Sequence, residues 1–132
     1  MANITATQIL VDGPRNTVVL CTGILDTSNV ASAMILDVST LAGTPAPTDL
    51  TIDKLWWSVA SPLQLLLWWD ATTDDVFATL VDHGHLDYTC FGGLKNPRSA
   101  GWTGDVMLST LGYTAGTVSY SVVVHATKRG RT

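Results

Sequence analysis

The chain has 132 residues, enough for one domain, and a globule of that size hides about two thirds of its unfolded surface, so its core requires no staple. Hydrophobic residues make up 46% and charged residues 14%, a balance that excludes intrinsic disorder. The formal charge of −4 provides no general attraction to nucleic acid or to an anionic membrane surface.

In chain order, "ITATQILV" (4–11) reads as a first strand stopped by the turn chemistry of "DGPRN". "TVVLCTGIL" (17–25) and "AMILDV" (33–38) are the next β-rich runs. From Leu41 to Asp49 the chain reads "LAGTPAPTD", where Pro45 and Pro47 forbid a central strand and predict an extended surface connector. "LTIDKLWWSV" (50–59) and "LQLLLWWDA" (63–71) follow, separated by a short "ASP" break that suits a hairpin or a tight corner. "VFATLVDHGHLDYTC" (76–90) reads as extended chain, with Gly84 a candidate bulge. A long Gly-rich loop, "FGGLKNPRSAGWTG" (91–104), precedes "DVMLSTLGY" (105–113) and "TVSYSVVVHAT" (117–127), which read as a final pair joined around Gly116.

The last run has the clearest period. Val118, Tyr120, Val122, Val124 and Ala126 share one face, while Thr117, Ser119, Ser121 and His125 share the other, which predicts one core face and one wet face. All eleven acidic residues are Asp, Thr is abundant, and helix-favouring charged residues are few. About eight short strands with Gly, Pro, Asn and Asp at the breaks predict an all-β protein: an antiparallel β-sandwich of jelly-roll or Greek-key type. We expect a single domain over 1–132, with an extended N-terminal segment (1–15) and a short basic C-terminal tail (128–132) formed by Lys128, Arg129 and Arg131. The longest dense apolar run, "LQLLLWW" (63–69), is far too short to span a bilayer, and no basic n-region precedes an apolar h-region. Cys21 and Cys90 form no CxxC pair; they are expected as reduced core thiols, with a long-range disulfide left open.

The string "DHGHLDYTC" (82–90) places His83, His85 and Asp87 at alternate positions, so an extended chain points all three to one face. Two imidazoles and a carboxylate are suitable metal ligands. "HGHLD" resembles the front of the His-x-His-x-Asp-His signature of the metallo-β-lactamase superfamily, but Tyr88 stands where that family carries another His. The chain also lacks the βα alternation of that larger fold and has only His125 besides these two histidines. Asp74 and Asp75 are adjacent and read as a turn rather than as a carboxylate pair. With no nucleophile elbow and no phosphate loop, the expectation is a protein that is not an enzyme and carries no metal or other cofactor.

Two tryptophan pairs, Trp56-Trp57 and Trp68-Trp69, lie on neighbouring predicted strands, so alternation sends one member of each pair inward and one outward, leaving two aromatic surfaces exposed or covered from outside that sheet. The loop adds Lys95, Arg98 and Trp102, a combination of charge and aromatic anchor that suits an interface. These seven residues are the candidate contact set. "LLLWWDATTDDVFATL", "FGGLKNPRSAGWTGDVMLST" and "GTVSYSVVVHATK" together resemble small virion structural proteins of tailed bacteriophages, over roughly the C-terminal half. The resemblance implies a non-enzymatic β-sandwich that assembles on the virion, foremost as a capsid decoration (cement) protein on the head surface. Its partners would be the major capsid protein and further copies of itself, as a trimer or dimer, with neither nucleic acid nor membrane. The alternative is a phage tail or receptor-binding module in which exposed Trp faces stack on sugar rings.

Overall fold

The computed structural model describes residues 3–129 apart from 14, 31, 42–46 and 98. The first five strands are β1 (Ile4–Asp12), β2 (Asn16–Leu25), β3 (Ala33–Leu36), β4 (Asp49–Val59) and β5 (Gln64–Trp69). They are followed by β6 (Asp75–Leu80), β7 (Asp82–Asp87), β8 (Leu94–Lys95), β9 (Val106–Leu111) and β10 (Val118–Arg129). Short 3-10 turns occupy Val38–Thr40 and Thr89–Phe91.

The strands form two antiparallel sheets. The larger runs β1-β2-β10-β4-β7, with the short β8 also on β4, and the smaller runs β3-β9-β5-β6. Within them β2 pairs with β10, β3 with β9, β4 with β7 and β5 with β6. This is the outside-in pairing of one long antiparallel ribbon. Successive strands of each arm alternate between sheets, so the ribbon is rolled on itself into a jelly roll.

Alternation explains which side chains meet between the sheets. On β10, Tyr120, Val122, Val124 and Ala126 are buried, as the period predicts. They pack with Val19 and Leu25 of β2, Ile52 and Leu55 of β4, and Leu65, Leu67 and Trp69 of β5 in one core cluster. Trp69 also meets Phe77 at a ring distance of 4.8 Å.

Several sequence expectations are corrected. Of the two alternatives for the break at 60–62, a hairpin or a corner, the structure has the corner, because β4 and β5 belong to different sheets; the expected final pair is corrected, since the turn at 112–117 carries the chain from β9 across to β10 in the other sheet. The run 76–90 divides into β6 and β7 at Val81-Asp82, where Asp82 has φ 61°, a left-handed conformation that Asp tolerates. Gly84 is no bulge: it sits in regular register opposite Trp57, and a Cβ there would stand 3.0 Å from Trp57 Cζ2. Close approach of an indole ring explains the glycine.

Lys128 does not belong to a solvated tail. It lies within β10 with its side chain fully buried, its Nζ donating to the Asp12 carboxylate and, at 2.6 Å, to the Gly13 carbonyl. Residues 130–132, including Arg131, lie outside the described residues, as does Pro45. Both cysteines are free thiols, but Cys90 is exposed and only Cys21 is a core residue. Burial pushes the Cys21 thiol up to about 12, against a lowering hydrogen bond with Thr7.

Candidate functional site: the outer faces of the sandwich

Cross-strand partners share a sheet face, so the register reads out what each outer surface presents. On the large sheet one row runs Gln8, Leu20, Val123, Trp56, His85 across β1, β2, β10, β4 and β7. The next row runs Ala6, Thr22, Ser121, Ser58, His83. Leu20, Val123 and Trp56 thus make a contiguous apolar ridge that ends in an indole 42% exposed. Around it, Trp56, Trp57, Ser58, His83, Gly84 and His85 line part of a shallow groove of 410 Å³.

The small sheet has its own row. Met34 of β3, Met107 of β9, Trp68 of β5 and Val76 of β6 are successive partners across all four strands. Met34 and Val76 are exposed, and Trp68 is half-buried with its Nε1 donating to Ser109 Oγ at 2.6 Å. The Trp68 ring is therefore oriented by a fixed hydrogen bond.

The two tryptophan pairs divide as alternation requires, one in and one out. Because β4 and β5 lie in opposite sheets, the outward members Trp56 and Trp68 stand on opposite sides of the sandwich rather than on one platform. Of the inward members, Trp57 packs against the core and donates Nε1 to the Val81 carbonyl at 2.9 Å. Trp69 is 1% exposed and offers no surface to a partner. Burial removes it from the contact set.

The loop residues meet different fates. Lys95 is exposed on β8, Trp102 is half-buried with its backbone N–H on the Ser99 carbonyl, and Arg98 lies outside the described residues. The loop is fastened to the sandwich: Asn96, buried, donates to Asp49 Oδ1 at 3.0 Å. Gly104 sits at φ +85° where a Cβ would be 2.1 Å from the Thr48 carbonyl oxygen, so only glycine fits this anchorage.

His83, His85 and Asp87 share the outer face of β7, as their spacing predicts, paired with Ser58, Trp56 and Lys54. Their chemistry is already committed in part. Asp87 Oδ1 accepts the Thr89 N–H at 2.8 Å and the Thr89 hydroxyl at 2.5 Å. These bonds, the hydroxyl first, hold the Asp87 carboxyl below the usual carboxylate range, with Lys54 and His85 contributing less. His83 Nδ1 lies 3.5 Å from the Asp82 carboxylate. Among the described residues no group of three or more His, Cys or Asp side chains converges as a metal-binding set.

Two further carboxylates hold backbone in place. Asp74 Oδ1 accepts the Ala71 N–H at 3.0 Å in the β5–β6 turn, the turn role read from the sequence, whereas Asp75 is corrected: it is the first residue of β6, opposite Trp69. Asp105 Oδ1 accepts the Val38 N–H at 3.0 Å and so ties the first 3-10 turn to β9. Burial raises the Asp105 carboxyl, and the neighbouring Asp37 and Asp70 add to the rise.

What the sequence reading missed were the apolar partners of the two tryptophans. Val123, Leu20, Met34 and Met107 become surface rows only through pairings far apart in sequence. No known family matches the chain, and neither curated proteins nor solved structures contain a match.

Proposed function

We propose that this chain is a non-enzymatic virion structural protein of a tailed bacteriophage, a decoration (cement) protein that binds the major capsid protein on the head and stabilises the shell. The observation that carries the reading is that both outer faces of the sandwich bear an apolar row with a tryptophan in it. A protein that works alone seldom leaves two such faces wet, whereas one that lies between neighbours uses both. The resemblance of the C-terminal half to small virion proteins points to the same class of work.

Attachment to heads tests it. A Trp side chain carries about 150–250 Å² of buriable surface. At 42% exposure, Trp56 has roughly 60–105 Å² left to bury, worth about 2 kcal/mol, or about thirtyfold in affinity. Trp56→Ala should therefore weaken binding to isolated heads by about that factor while the fold survives. Imaging of virions should show many symmetric copies on the head. Unchanged head binding by both Trp56→Ala and Trp68→Ala, or a few copies at the tail tip alone, would overturn the proposal.

A second reading has one specific observation behind it: the exposed Trp56 ring is flanked by Ser58, Ser121, His83 and His85, hydrogen-bonding groups beside a stacking surface. That arrangement suits a sugar ring, and binding of a host glycan that is lost in Trp56→Ala would favour it.

A further inference from the structure

The two edges of the large sheet are unlike. β7, at one edge, carries Asp82, His83, His85 and Asp87, the kind of charged and polar side chains that blunt an edge against pairing. β1, at the other, has β2 as its sheet neighbour, and all nine of its residues are exposed. From Ile4 to Val11 it contains no charge, no proline and no glycine. Ile4, Ile9, Leu10 and Val11 are all exposed there, on a strand with high β-propensity.

This strand is held ready at both ends. Asn3 Oδ1 accepts the N–H groups of Asp26 at 2.9 Å and Thr27 at 3.0 Å, and its amide donates to the Ser28 carbonyl at 2.9 Å. At the far end, Asp12 is ion-paired with the buried Lys128. Between these anchors the pairing with β2 is regular from Ile4 to Ile9, and the single irregularity falls between Ile9 and Val11.

We propose that β1 pairs edge to edge, antiparallel, with β1 of a second copy of the chain, joining two large sheets into one across a twofold axis near Ala6 and Thr7. Antiparallel pairing of identical strands is isologous and closes at two copies. The strand suits its own image: small side chains meet at the centre, and no like charges face each other over the regular run. A head-to-tail contact with β7 would instead bring this apolar strand against Asp82 and Asp87.

The contact is small. A regular run of six to nine residues at 3.4 Å each gives an edge about 20–30 Å long, and so roughly 600 Å² buried in total, well under half of the about 1,600 Å² of an ordinary stable interface. The dimer is thus a weak one in dilute solution and forms readily where copies are concentrated. It stands apart from the capsid reading, since it requires no head.

Sedimentation equilibrium over a wide concentration range tests it, with the wild-type chain beside Ala6→Lys/Gln8→Lys, which places four lysines around the proposed axis. Both positions are exposed, so the melting temperature should hold. We expect concentration-dependent monomer–dimer behaviour in the wild type, a dissociation constant raised at least about tenfold in the variant, and amide protection over 4–9 that grows with concentration only in the wild type. Should the double variant fold poorly, Gln8→Lys alone serves as the comparison. A wild type that stays monomeric when concentrated, a trimer, or an unaltered dimer in a folded variant would each overturn the proposal. A monomeric wild type whose head attachment is lost in the variant would also overturn it, by giving the edge to a strand of another protein.

Discussion

Gly23→Ala should be one of the most damaging single-methyl additions to this protein. Gly23 lies in β2 directly opposite Tyr120 of β10, and the tyrosine ring covers it. A Cβ at position 23 would stand 2.3 Å from Tyr120 Cε2, 2.4 Å from Cζ and 2.6 Å from the hydroxyl oxygen. Carbon atoms rest at about 3.5–4.0 Å, so the overlap exceeds 1 Å and no small torsion relieves it. Tyr120 is a core residue with little room to withdraw. Removing glycine's unfolded-state freedom would by itself stabilise by about 0.4–1 kcal/mol. Overpacking costs typically 1–3 kcal/mol and more when the neighbour is held, so the net loss should be about 2–3 kcal/mol. At roughly 2.1 cal/mol/K per residue over 132 residues, that is a fall of about 7–11 °C in melting temperature. Thermal and urea denaturation of Gly23→Ala, Tyr120→Val and the double variant measure it. Because Val vacates the space, the double variant should lose at least about 1 kcal/mol less than the sum of the singles. A Gly23→Ala protein within about 0.5 kcal/mol of wild type, or strictly additive losses, would refute the packing argument.

Lys128→Ala removes the buried ammonium from the Asp12 carboxylate, which is partly solvated; the loss should be about 2–3 kcal/mol, seen by urea denaturation, with faster amide exchange along β1. Trp69→Ala should cost about 3–5 kcal/mol and Trp56→Ala less than about 1, a contrast that thermal melts of the two variants will show. In the folded protein Cys90 should react with iodoacetamide while Cys21 reacts only on unfolding, as peptide mass mapping can establish. The buried Cys21 thiol, up from 9.0 to about 12, and the Tyr120 hydroxyl, up from 10.0 to about 12, keep their protons in the folded state at alkaline pH while the unfolded chain gives them up. Stability should therefore fall as pH rises from about 9 to about 12, and Cys21→Ala should flatten the lower part of that fall.

Strand positions and faces were legible in the sequence because period two is a local property: the burial of Val122 and Val124, and the shared face of His83 and His85, follow from alternation alone. Sheet membership was not legible. Nothing within "ASP" distinguishes a hairpin from a corner, and choosing the corner places Trp56 and Trp68 on opposite surfaces. Lys128 misled for a related reason. Three cationic residues near one end look like a solvated tail, and only the arrival of Asp12 from more than a hundred residues away makes a buried position tolerable. Gly84 showed the same pattern: within an extended run it reads as a bulge, but its cause is the Trp57 ring on another strand.

The nested pairing also sets the order in which the chain can fold as it is made. β5 and β6 are separated by only a short turn and can close as soon as both have left the ribosome. β2, made well before β10, pairs with it at a sequence separation of 111 residues between Asn16 and Thr127. β10 is the middle strand of the large sheet, so until it emerges β2 and β4 have no strand between them and their apolar faces wait uncovered. Such long-range closure is slow, and the waiting strands are open to pairing with other nascent chains. Rapid synthesis on crowded polysomes should thus be the condition under which this protein is most prone to aggregate.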